Sequence, residues 1–156
     1  VSKANLYAMV VGLKTYVTAG LPAQLRLIEL ELADGVKLPD PKLHVLGWSD
    51  PFTSTDYPMV AYMTATPELD PVIMTEWLNP EIDIMVSLVH SKPETLEMIL
   101  LRYYDALTNL IRADRSIGGA CDNSFFTGQA LGHPGGEDKS HAILYLTLKM
   151  EKEIRT

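Results

Sequence analysis

Residues 91–119 read SKPETLEMILLRYYDALTNLIRADRSIGG, from Ser91 to Gly119, and this stretch decides the fold. Ser91 is placed to cap a helix, Pro93 suits a first turn, and Glu94 follows Ser91 by three residues as a capping box requires. Apolar residues recur at Leu96, Ile99, Leu100, Tyr103, Leu107, Leu110 and Ile111. That spacing puts one apolar stripe on a helix over residues 92–113. Asp114-Arg115-Ser116-Ile117-Gly118-Gly119 then turns the chain, and its glycines permit positive φ and close backbone approach. The stripe must cover something.

Two alternating segments supply a sheet. Over residues 82–90, Ile82, Ile84, Val86 and Leu88 point one way, and Asp83, Met85, Ser87 and Val89 the other. Over residues 141–151, Ala142, Leu144, Leu146, Leu148 and Met150 line one face, against His141, Tyr145, Thr147, Lys149 and Glu151. Such alternation predicts a sheet with one buried face, typical of antiparallel pairing. Residues 59–66 predict another strand, with shorter ones at residues 43–48 and 72–78. Residues 36–58 are otherwise loop-rich, and residues 120–139 predict a long loop with Gly128, Gly132, Pro134, Gly135 and Gly136.

At the start of the chain, Leu6, Met9, Val10, Leu13 and Val17 follow a helical stripe interrupted by Lys14, so residues 3–19 are read as a core helix rather than a signal peptide. Gly20-Leu21-Pro22 predicts its end or a sharp kink. Residues 22–33 predict a second helix, although Ile28 to Leu32 also alternate as a strand would. The whole is an α+β fold, a mainly antiparallel sheet packed by amphipathic helices, in a single domain over residues 1–156.

The bulk properties narrow the function. An apolar fraction of 47% is too high for a disordered chain. A formal charge of −7 argues against a nucleic-acid binder, which needs clustered Lys and Arg. No apolar run approaches the ~20 residues of a membrane span. Cys121 is the only cysteine, so no intrachain disulfide forms; without a nucleophile signature around it, it reads as a buried thiol. His133, Glu137, Asp138 and His141, with Asp122 further back, hold metal-ligating groups but match no ligand spacing, so no metal, cofactor or catalytic residue is expected. There is no GxSxG elbow, and Gly118-Gly119 lacks the Lys-Ser/Thr of a phosphate loop. His44 and His90 stand singly, and His90 is expected to satisfy local hydrogen bonds. The candidate interface residues are the loop aromatics: Trp48, Phe52 and Tyr57 in the Pro-rich stretch, and Phe125 and Phe126 in the Gly-rich one.

The order of elements carries a resemblance. An N-terminal helix reaches Leu21-Pro22-Ala23-Gln24-Leu25, and a Pro-rich middle and central strands follow. Next comes the helix from Pro93 to Ala113 with Tyr103-Tyr104-Asp105-Ala106-Leu107, then the Asp114–Gly119 turn, then a last strand ending in Lys149-Met150-Glu151. Across most of its length the chain resembles the tail terminator and tail completion proteins of long-tailed bacteriophages. The resemblance implies a small structural subunit, without catalytic residues, that forms a ring, typically hexameric. Such a ring caps the tail tube, stops its growth and joins it to the head connector. The implied partners are copies of itself, the tail tube protein and the head-tail connector protein, with no membrane and no specific nucleic acid. The implied location is the virion tail or neck, after assembly in the host cytoplasm. An acidic surface suits a channel through which DNA slides without sticking. The alternatives are another neck component such as a head-completion stopper, a small enzyme using a metal at His133, Asp138 and His141, and a host-side interaction module with no ring.

Overall fold

The computed structural model describes residues 6–47, 56–64, 77–132 and 140–153. The chain starts with one helix, α1 (Leu6–Leu32), where two were predicted. Pro22 lies inside it and costs a helix about 3 kcal/mol. The apolar stripe runs straight through that point, with Leu13, Val17, Leu21 and Leu25 all fully buried. Each such side chain contributes about 1.5–3 kcal/mol on burial, so packing outweighs the proline. Gly20 does not end the helix either. A Cβ there would stand 2.6 Å from Leu110 Cδ1, so the glycine lets α1 lie close on α2 (Pro93–Ala113). Gly12 plays the same part against Ala120, at 2.6 Å.

α2 follows the predicted periodicity, burying Leu96, Ile99, Leu100, Tyr103, Leu107, Leu110 and Ile111. Its cap differs. Lys92, not Ser91, is the N-cap residue, and it makes no side-chain capping bond. The Lys92 carbonyl accepts from Leu96 N–H at 3.0 Å, and the Lys92 N–H donates to His90 Nδ1 at 3.0 Å. The Tyr16 hydroxyl donates to the Leu110 carbonyl at 2.9 Å and ties the helices together.

Both helices pack on one face of a mixed, mostly antiparallel sheet of β1 (Leu43–Leu46), β2 (Met59–Thr64), β3 (Trp77–Leu78), β4 (Glu81–Val89), β5 (Asn123–Gly132) and β6 (His141–Glu153). β1 runs parallel to β2; every other pair is antiparallel. β3 and β4 pair with β6 in one register across Asn79-Pro80, so β3 prolongs β4 and the sheet runs β1-β2-β4-β6-β5. Ile82, Ile84, Val86 and Leu88 face the helices with Leu144, Leu146, Leu148 and Met150.

The far face is not simply solvated, as alternation alone predicts. Met59, Ala61, Met85 and Ile143 form a second buried cluster there. Beside them, the Ser87 hydroxyl and His141 Nε2 lie 2.6 Å apart, both residues buried. Toward the other end of the strands the same face turns polar, and Thr147 Oγ1 donates to Asp83 Oδ1 at 2.7 Å.

The largest departure lies between residues 120 and 132. The sequence of this segment predicts the start of a long loop, yet residues 123–132 form β5 along the edge of β6. An edge strand is held by its backbone ladder, so it needs no apolar alternation. The turn before it is built on Asp114, whose carboxylate accepts from Ser116 N–H at 3.0 Å, Ser116 Oγ at 2.6 Å and Gly118 N–H at 3.0 Å. Gly118 and Gly119 take φ of 63° and 89°. Ile117, at φ 53°, occupies the same region and is buried, so burial of its side chain holds a conformation that β-branched residues rarely adopt.

Candidate assembly surface

Of the five candidate interface aromatics, Trp48 and Phe52 lie outside the described residues. Tyr57 is half-buried, with its ring edge-on to His141 at a centroid distance of 5.3 Å. It therefore packs on the subunit's own sheet. Phe125 and Phe126 are neighbours on a strand rather than on a loop, so their rings point to opposite faces. Phe126 is half-buried against the main core, while Phe125, also half-buried, stands across from Lys149 on the far face. The structure does not bring the two aromatic groups into one patch among the described residues.

It offers a different surface. From Thr127 to Gly132 every residue of β5 is exposed on both faces of the sheet. The strand NSFFTGQALG carries no charge and no proline, although the chain as a whole is at −7. Edge strands usually carry lysine, proline or inward charges to prevent pairing with another chain; β5 has only one bulge, between Phe126 and Gly128. Leu131 is 52% exposed on it, and near it α2 exposes Leu101. A groove of about 210 Å³ lies between them, lined by Glu97, Leu100, Leu101, Leu131, Gly132 and Ala142.

At the opposite edge of the sheet a second groove, of about 380 Å³, opens where the start of α1 meets the ends of β1 and β2. Leu6, Tyr7, Val10, Leu46, Gly47, Tyr62 and Thr64 line it, and Tyr7 is 72% exposed. His44 Nδ1 and the Tyr62 hydroxyl lie 2.9 Å apart under it, their rings stacked. Burial pulls the His44 pKa below its ordinary value, which favours the neutral ring.

Polar groups elsewhere brace the scaffold. Arg102 pairs with Asp34 through both of its terminal nitrogens, and that bond holds the Asp34 carboxyl below the usual carboxylate range. Arg26 bridges Glu29 at 2.6 Å and Asp40 at 3.2 Å, and Leu38 N–H donates to Glu29 Oε2 at 3.1 Å. With the Tyr103 hydroxyl on the Pro39 carbonyl, these contacts strap residues 34–40 across both helices. Cys121 is buried, its Sγ 3.5 Å from the Arg115 and Ser116 carbonyls, and burial pushes the thiol up to about 11. Such a thiol stays protonated at neutral pH and is a poor nucleophile. Ser87 is fully buried, so no substrate reaches its hydroxyl in this conformation.

Among the described residues no three His, Cys, Asp or Glu side chains converge on a metal position. His141, one member of the sequence cluster, begins β6, while His133, Glu137 and Asp138 lie outside the described residues. No described helix is long and apolar enough to cross a membrane.

No protein-family model and no curated protein matches this chain. The geometry of the surface is of two uncharged strands at the two edges of one sheet, β1 beside an apolar groove and β5 beside a largely apolar one that also holds Glu97.

Proposed function

We propose that this chain is a structural virion protein. It forms a ring, six-membered on the resemblance, that caps the tail tube of a long-tailed bacteriophage and joins it to the head connector. The observation that carries this reading is β5: a ten-residue, uncharged edge strand, exposed from Thr127 to Gly132, in an otherwise acidic chain. A sheet edge of this kind pairs with another chain, and contact between unlike surfaces of identical subunits closes into a ring when the rotation closes. The order of elements that resembles tail terminators supports the same conclusion. The charge of −7 fits a subunit beside a DNA path, where a basic surface would hold the passing duplex.

Two measurements test it. Light scattering of the purified chain should give a mass several-fold above the 17.3 kDa subunit, and the same protein should co-sediment with tail tubes. Co-sedimentation with the head connector but not with tubes would move the protein to the stopper position instead.

A further inference from the structure

We infer that neighbouring subunits join by extending one sheet across the boundary, the β5 edge of one copy against the β1 edge of the next. This rests on the ring reading and supplies its interface.

Strand direction comes first. β1 runs parallel to β2, and the pairs β2-β4, β4-β6 and β6-β5 are each antiparallel. β5 therefore runs opposite to β1. When copies repeat side by side in one orientation, as around a cyclic ring, β5 meets the next β1 as an antiparallel pair. That ladder is the slightly more stable kind and introduces no reversal of the sheet.

The rows of the sheet also match. Leu46 pairs with Tyr62, Tyr62 with Ile84, Ile84 with Leu146, and Leu146 with Gln129. Two residues along, His44 pairs with Val60, Val60 with Val86, Val86 with Leu144, and Leu144 with Leu131. One row thus ends at Gln129 on one edge and at Leu46 on the other; the next ends at Leu131 and at His44. These rows face the helices, where the groove of Leu6, Tyr7, Val10, Leu46 and Tyr62 opens beside β1. The exposed Leu131 is an apolar projection at one edge, and this groove is an apolar recess at the other. Neither LHVL of β1 nor NSFFTGQALG of β5 carries a formal charge at neutral pH, so the two strands put no like-charged side chains against one another. Among the described residues no strand pairs with the outer edge of either β1 or β5.

The test is a pair of cysteines, Leu46→Cys with Gln129→Cys, joined by a short bis-maleimide linker. Cys121 is buried and stays silent in the folded protein. The double variant should give a covalent ladder at multiples of the subunit mass, and each single variant should give none. Independently, Leu131→Asp should keep the secondary structure and raise the half-assembly concentration about tenfold or more, since a carboxylate buried without a partner is strongly unfavourable. A wild-type ring in micrographs with no ladder from the double variant overturns the interface and leaves the ring reading standing. A covalent dimer from Gln129→Cys alone also overturns it, because β5 then pairs with its own copy. A wild-type chain that stays monomeric at every concentration and with tail tubes removes both.

Discussion

Phe125 and Phe126 are adjacent in sequence, yet replacing each by serine should give different outcomes in the isolated subunit. Phe126 packs against the main core and is half-buried. Removing a fully buried phenylalanine costs about 3–5 kcal/mol, and Phe126, which keeps only part of its surface in solvent, should cost about 2–4 kcal/mol. Phe125 lies on the far face across from Lys149, outside both buried clusters. A cross-strand pair of this kind contributes about 0.2–1 kcal/mol. A chain of this size loses about 2–4 °C of melting temperature per kcal/mol. Phe126→Ser should therefore melt about 4–16 °C below the wild type, and Phe125→Ser no more than about 4 °C below it. Circular dichroism at high dilution, where assembly adds nothing, reads both values. A larger loss at Phe125 than at Phe126 would refute the packing of Phe126, and not Phe125, against the main core.

Gly20→Val should destabilise the fold by about 1–3 kcal/mol, because its Cβ would sit 2.6 Å from Leu110 and push α1 off α2; an unchanged urea midpoint would contradict the close approach. Gly119→Val meets no atom within 4 Å, so its cost of about 1 kcal/mol or more comes only from φ of 89°, and Gly119→Asn should recover part of it. Asp34 and Asp114 are held below the ordinary carboxylate range, by the Arg102 bond and by the Ser116 hydroxyl respectively. Their folded pKa values lie below the unfolded ones, so their stabilisation is complete above about pH 4–5 and is lost as pH falls through the folded values. Asp34→Asn should therefore flatten the acid limb of the stability profile; identical slopes in variant and wild type would remove that contribution.

Much of the architecture was legible because burial writes a period into the sequence. The stripe from Leu96 to Ile111 and the alternation from Ile82 to Leu88 and from Ala142 to Met150 each face the common core, and each reads correctly as helix or strand. The misreadings arise where local chemistry and tertiary packing disagree. Pro22 and Gly20 are helix breakers by propensity, but Leu21 and Leu25 continue the buried stripe, and Gly20 serves a helix contact that no local signal reveals. Ser91 has a capping sequence, but the helix begins one residue too late for it to cap. β5 lacked a signal because both of its faces are open past Thr127, so nothing selects apolar alternation there. The sequence does point to residues 120–139 as an assembly surface, but it places the contact on Phe125 and Phe126 rather than on the exposed edge from Thr127 to Gly132. Aromatic residues drew attention to Tyr57 and Phe126, which pack on the subunit itself. The exposed edge is marked instead by what β5 lacks, charge and proline over ten residues, which is visible in sequence only once the segment is known to be an edge strand.

The most direct test of the central claim is negative-stain microscopy of the purified chain, alone and mixed with tail tubes, alongside its mass in solution. The account predicts closed rings with a central channel, about six times the mass of the 17.3 kDa subunit, seated at one end of the tubes. A single 17.3 kDa species that leaves tube ends bare at every concentration would contradict it.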